Sequence, residues 1–246
     1  MEAAEDTEFL DAMKRAKILG ALVGIESVTS EGLKDVYKGF NLAGDELVAR
    51  LRMFRQHGIH VLGSFIFGLP SDTAATFDAT VALAERADLT FAQFVLLTPF
   101  PGTVDFEKWA AAEQGRGAAT VDGVPITQHW LIPESRRPRL YSAHPAMSQE
   151  EIRVGTQRAW DRFYSWRMVW ARSRVVESVR ARLAFVLISK LYRQMYANTG
   201  IATDSARVAR STRWARWIAM ACRRLFLGRP MPDLAVPGER LERAVN

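Results

Sequence analysis

The chain has a single cysteine, Cys222, among 246 residues. One thiol excludes a disulfide framework and fits a reducing compartment, so the sequence reads as cytoplasmic. It also excludes an iron–sulfur cluster held by the chain's own thiolates, since such clusters need several cysteines close together. Histidine is scarce too. His57, His60, His129 and His144 fall at no metal-ligand spacing, and each reads as a surface or packing residue. The longest apolar run, residues 183–188, is far too short to span a bilayer. Residues 1–11 are acidic and polar, so no signal peptide is expected.

Charge is plentiful but uneven. Residues 1–149 carry 14 Lys and Arg against 19 Asp and Glu, whereas residues 150–230 carry 17 against 5. An acidic region is thus joined to a strongly basic one, which points to an anionic partner for the latter. The shift in composition also marks an expected boundary near residue 148.

Within the acidic region a single plan repeats. Residues 6–16 have helical spacing, with Phe9, Leu10 and Met13 on one side and Asp6 or Thr7 as the N-cap. Residues 45–57 set Leu47, Val48, Leu51 and Phe54 inward and end at Gly58, and residues 73–87 form a third helix. Between them lie strands at 18–25, 59–67 and 91–97. The near-continuous apolar runs of the first two predict burial on both faces. Alternating strands and helices give an α/β fold with a parallel sheet. Three strands cannot close a barrel, but they can form an arc of one.

Chemistry in such folds gathers at the carboxyl ends of the strands. Those ends carry Glu26-Ser27, the turn at residues 68–73 and the turn at residues 98–103. Read by themselves, these turns fit either a ligand lying against the backbone or an ordinary turn followed by a helix cap.

Three motifs in order add to this reading: GIES at 24–27 followed by Lys38-Gly39, SFIFGLPSDT at 64–73, and FAQFVLLTPFPGT at 91–103. Together they resemble the fourth to sixth strands of the radical S-adenosylmethionine superfamily barrel, closest to the subgroup with an N-terminal cobalamin-binding domain. The resemblance covers residues 6–108. AWDRFYSWRMVW at 159–170 resembles a tail domain of uncharacterised role found after the barrel in some of those proteins. The implied architecture is the C-terminal half of a partial (β/α)6 barrel followed by a basic all-helical region. Its divisions would be a partial barrel at 1–109, a substrate-side loop at 110–147, a helical tail at 148–228 and a C-terminus at 229–246.

The resemblance also implies roles. Glu26 would hydrogen-bond the polar end of S-adenosylmethionine. Lys38 stands where many members place an arginine that pairs with the methionine carboxylate, supplying the charge without the two-pronged geometry. Ser64 would face the ribose hydroxyls, Gly68 and Leu69 would let the backbone approach the adenine, and Phe100 would pack on it. In ordinary structural terms Glu26 is a helix cap, Lys38 a solvated charge and Ser64 a hydroxyl bonded within the sheet.

Departures from the family pattern are as informative. The first three strands, the CxxxCxxC loop that holds a four-iron cluster and the cobalamin domain are not in this sequence, and Asp72 stands where a glutamate often follows the Gly-Leu-Pro turn. The intact relative would cleave S-adenosylmethionine to a 5′-deoxyadenosyl radical that abstracts hydrogen, with methyl transfer through cobalamin as one outcome. This chain is therefore expected to be the back half of such an enzyme, inactive alone, its N-terminal half being lost, supplied as a separate chain or cut off by a start-site or frame error. The alternative is a non-catalytic remnant or binding module that keeps the basic tail.

Residues 110–147 have little periodicity and read as an excursion across the mouth of the barrel, where it would meet a small-molecule or lipid substrate. Ser148 caps the first tail helix, with Glu150 and Glu151 in its first turn. Helical spacing runs to about 172, resumes at 173–198 and returns at 204–227, where Trp214 and Trp217 share a face flanked by arginines. Such a helix suits an anionic bilayer, and so a peripheral position on the inner face of the membrane. A bundle packed on the barrel with a solvated basic face is the second reading. Nucleic acid is the third.

Overall fold

The computed structural model of the protein describes residues 2–198 apart from 40–42, 118 and 139. The expected helix at 204–227, with Trp214 and Trp217, and Cys222 lie outside the described residues.

A three-stranded parallel sheet is built in the order β1 (Gly20–Glu26), β2 (His60–Phe67) and β3 (Phe91–Leu96). Helix α1 (Thr7–Arg15) precedes β1 and is capped by Asp6, whose carboxylate accepts from Phe9 N at 2.9 Å. Between β1 and β2 come a short α2 (Ser30–Asp35), which the sequence pattern does not announce, and α3 (Gly44–Gln56). α3 stops at His57 because Gly58, at φ 79°, takes the left-handed turn that ends the helix. α4 (Ala74–Arg86) connects β2 to β3 and begins with a capping box between Thr73 and Thr76.

The two faces of the sheet differ. Leu47, Leu51 and Phe54 of α3 and Phe77, Val81 and Ala84 of α4 are buried in one core with Ile25, Val61, Phe65, Phe67 and Phe94 of the strands. A Cβ at Gly63 would lie 2.6 Å from Leu89 Cδ1 and 3.0 Å from Ile25 Cδ1, so a side chain there would displace both. Alternation places Leu22, Leu62 and Phe91 on the opposite face as one row, and Gly24, Ser64 and Gln93 as the next. That face is incompletely covered: Leu22 is 64% exposed. The apolar run of β1 predicts burial on both faces. The structure covers one face with α3 and α4, whereas on the other the helix Val179–Asn198 reaches only the β3 end, at Phe91 and Gln93, and leaves Leu22 open.

The segment after β3 is more ordered than its composition suggests. α5 (Val104–Gly115) carries helix past residue 109, and a small hairpin of β4 (Thr120–Val121) and β5 (Val124–Pro125) follows. Two 3-10 turns come next, Ile126–Leu131 and Glu134–Arg136. Phe106, Trp109, His129, Trp130 and Tyr141 form a ring cluster that holds this stretch together, with the His129 and Tyr141 centroids 4.3 Å apart. Aromatic contact thus supplies the order that apolar periodicity does not announce.

α6 (Gln149–Phe163) begins with the expected cap, a box in which Ser148 and Glu151 satisfy each other's backbone N–H groups. It crosses α4 so closely that a Cβ at Gly155 would lie 2.7 Å from the Phe77 ring. α6 and the residue after it also finish the outer edge of β3. The Tyr164 hydroxyl accepts from Ala92 N at 3.2 Å and donates to Ala92 O at 2.7 Å, and Trp160 Nε1 donates to Phe94 O at 2.9 Å. Side chains thus take the place of a neighbouring strand. α7 (Trp166–Arg172) and α8 (Val179–Asn198) complete the described chain. α8 lies against Phe91, whose ring centroid is 5.7 Å from Phe185 and 5.5 Å from Tyr192.

Candidate functional site

At the end of β1 the backbone does something costly. Glu26 sits at φ 67°, the left-handed region, and the pairing with β2 shifts register between Gly24 and Glu26. A non-glycine residue there carries strain of order 1–3 kcal/mol, the kind that persists where surrounding structure enforces it. The shift lays the carboxylate back across the strand, and a Cβ on Gly24 would be 2.5 Å from Glu26 Oε1. A side chain at residue 24 would push that carboxylate aside. Lys38 Nζ, just after α2, donates to Glu26 Oε1 at 2.6 Å, and the carboxylate side is the less exposed of the two. The resemblance puts both residues on one ligand; the structure puts them on each other, at the carboxyl edge of the sheet.

Next along the row, Ser64 is nearly buried, and its Oγ accepts from Gln93 Nε2 at 2.7 Å. Gln93 Oε1 in turn accepts from the Tyr196 hydroxyl of α8. This chain of three links the middle strand, the edge strand and the last described helix. Ser64 uses a lone pair on Gln93, which leaves its own O–H able to donate outward.

The Gly-Leu-Pro turn follows β2. Gly68 has φ 89°, so a side chain there would be strained, and a Cβ would lie 2.9 Å from Leu140 Cδ2. One buried oxygen, Asp72 Oδ2, accepts from Gly68 N at 2.9 Å and Leu69 N at 3.0 Å, while Oδ1 has no hydrogen-bond partner among the described residues. Burial pushes the Asp72 carboxyl up from 3.8 to about 6, against the pull of those two amides. The Leu69 carbonyl accepts from His144 Nε2 at 2.8 Å, and His144 Nδ1 accepts from Met147 N at 2.9 Å. His144 therefore straps the segment before α6 onto the turn. The amides of Gly68 and Leu69 and the Leu69 carbonyl are all occupied within the chain. Phe100, beyond β3, is 65% exposed, and its carbonyl accepts from Thr103 Oγ1 at 2.8 Å.

The structure thus gathers Glu26 with Lys38 and seats Ser64 in the adjoining row, with Gly68 and Leu69 at the end of β2 and Phe100 beyond the end of β3. Gln93, Tyr196 and His144 do not stand out as site residues in the sequence. Gln93 has a signal, as the one polar side chain inside the apolar run FAQFVLL. The other two have none, because their partners are far away in the chain.

No family model matches the sequence. An uncharacterized methyltransferase of Pyrococcus horikoshii is 28% identical over 153 residues, which are 62% of this chain and 30% of that protein. The bacteriochlorophyllide d C-12(1)-methyltransferase of Chlorobaculum tepidum is 39% identical over 87 residues, 35% of this chain and 19% of its own. A protein named as a methylthiotransferase in Methanocaldococcus jannaschii is 31% identical over 98 residues, 40% of this chain and 21% of its own. The relatives are methyltransferase-type proteins. The chain spans less than a third of the length of each. Among the described residues no helix is long and apolar enough to cross a membrane.

Proposed function

We propose that this sequence is the C-terminal half of the barrel of a radical S-adenosylmethionine enzyme of the methyl-transfer, cobalamin-associated type, with the open row of the sheet facing the cofactor. The observation that carries the reading is Glu26, held in a strained conformation at a strand's carboxyl end and laid across Gly24 by Lys38. The amino-acid end of S-adenosylmethionine bears an ammonium and a carboxylate, and this pair offers both complementary charges at one edge of the sheet. The methyltransferase-type relatives support the same substrate class.

The residues divide that ligand among them. Glu26 accepts from the ammonium and Lys38 pairs with the carboxylate. Ser64, oriented by Gln93, donates toward a ribose hydroxyl. Gly68 and Leu69 act through the shape of the turn, since their amides already serve Asp72. Phe100 has the exposed ring face that an adenine needs. When bound, S-adenosylmethionine would supply its sulfonium methyl group for transfer and its 5′ carbon for hydrogen abstraction.

The iron–sulfur cluster does not fit. The sequence has one cysteine, and among the described residues no group of three His, Cys, Asp or Glu side chains could hold a metal. This sequence does not supply the thiolates of such a cluster.

Titration calorimetry with S-adenosylmethionine tests the cofactor face. Glu26→Ala is expected to weaken binding about tenfold or more, the scale of a lost hydrogen bond to a charged group, and Ser64→Ala by less. Leu131→Ser, at the exposed end of the turn after the hairpin, serves as the control. Equal affinity in wild type and Glu26→Ala would remove Glu26 from the site and the reading with it.

A further inference from the structure

α8 is apolar on two sides. Phe185, Tyr192 and Tyr196 turn toward β3 and Trp160, and Ser189 is buried between them in the helix. On another side Val179, Leu183, Leu187, Leu191 and Met195 recur every fourth residue, a row roughly 24 Å long at the rise of an α-helix. This second row faces solvent: Val179 is 67% exposed and Met195 52%. Ile188 adds to it, and Trp166 and Trp170 of α7 are exposed nearby. A helix with apolar residues all round is normally buried, so one side here lacks its partner.

Charge identifies that partner. Residues 164–198 hold seven Lys and Arg and one Glu. Toward α4 and α6 the cations are matched: Arg162 pairs with Glu85 of α4 at 2.9 Å, and Arg193 with Asp161 of α6 at 3.1 Å. Around α7 and the start of α8 they are not. Arg167, Arg174 and Arg180 are exposed and form no ion pair among the described residues. Lys190 and Arg182 stack on the exposed rings of Trp166 and Trp170, each 4.3 Å from the ring centroid. A second copy pairing through the same surface would bring like charge to the same place.

We propose that the α7–α8 surface docks on an anionic lipid bilayer. The apolar row enters the acyl boundary, Trp166 and Trp170 lie at headgroup depth, and Arg167, Arg174 and Arg180 meet lipid phosphates. The helix lies on the bilayer. This surface is separate from the cofactor face and does not depend on that reading.

Co-sedimentation of the full chain with phosphatidylcholine vesicles, with and without phosphatidylglycerol, tests the proposal. Binding is expected only with the anionic lipid and is expected to fall with salt, since charges are screened within about 10 Å at 0.1 M. Leu183→Glu with Leu191→Glu should lower the partition at least about tenfold, the loss expected from two leucines no longer buried. Both positions are solvent-facing, and an unchanged circular dichroism spectrum and melting temperature confirm that this variant folds. Arg174→Glu with Arg180→Glu should lower it as well while leaving the apolar row intact. Equal recovery on neutral and anionic vesicles, binding that survives Leu183→Glu with Leu191→Glu, or no binding at all each overturns the proposal. Displacement by RNA without any lipid binding also overturns it and assigns the surface to nucleic acid.

Discussion

The two edges of the sheet are finished in opposite ways. At β3 the groups that face outward are met by side chains, with Tyr164 on the amide and carbonyl of Ala92 and Trp160 on the carbonyl of Phe94. Next to it α8 lays rings on Phe91. At β1 the ladder to β2 is the only strand pairing among the described residues, and Leu22 stands exposed beside that open edge. One edge is therefore closed by the chain itself. The other keeps the backbone groups and apolar surface that a further strand would use. That is the asymmetry expected of the last strands of an arc, and it is why the tail helices belong to the sheet's architecture as much as to the tail.

The largest effect should come from the closed edge. Trp160 is fully buried, packs edge-on to Phe94 at 5.5 Å and carries one of the capping bonds. Trp160→Ala is expected to cost about 3–5 kcal/mol in urea unfolding, from the cavity and the lost bond together. Tyr164→Phe keeps the packing and removes only the hydroxyl. It leaves Ala92 N and O unpartnered at an expected cost of roughly 1–3 kcal/mol. If Tyr164→Phe were neutral, water would be capping that edge and the contrast with β1 would vanish.

A second effect lies at the turn between the edges and depends on pH. The folded Asp72 carboxyl, at about 6, holds its proton more tightly than the unfolded chain, where the value is 3.8. Its contribution to stability is therefore fully present below the unfolded value and is lost as pH rises through about 6, a change of about 3 kcal/mol. Asp72→Asn keeps an oxygen for the Gly68 and Leu69 amides and removes the charge. Its stability should be flatter across that window than the wild type. Parallel pH profiles for the two would remove the buried carboxylate from the account.

The open edge should show itself in association more than in stability. Leu22→Lys is expected to change unfolding by no more than about 0.5 kcal/mol, as for other surface positions. It should shift the chain toward monomer in sedimentation velocity, since an exposed lysine discourages edge pairing. Wild type that is monomeric at every concentration would show that the β1 edge is not adhesive.

The sequence declares its elements better than its surroundings. The strands can be placed within two residues because buried runs such as IHVLGSFIF and FAQFVLL are bounded by glycine, proline and caps. The cap at Ser148 is legible because it depends on neighbours in the chain. The partial covering of the second face, by α8 at β3 and not at β1, is not legible, since apolar content alone cannot tell how much of a face finds a partner. Of the site, Glu26 and Lys38 are visible as motif residues, but their pairing rests on the left-handed turn of Glu26 and the emptiness of Gly24. Those are backbone properties. The links from Tyr196 through Gln93 to Ser64, and from His144 to Leu69, join residues 103 and 75 positions apart at their widest, and no local pattern records them.

The measurement that goes most directly to the central claim is an amide chemical-shift map of the labelled chain titrated with S-adenosylmethionine. The account expects saturable shifts concentrated at Gly24, Glu26, Lys38, Ser64 and Gln93, weakened in Glu26→Ala. Shifts confined to other regions of the chain, or none at millimolar ligand, would contradict it.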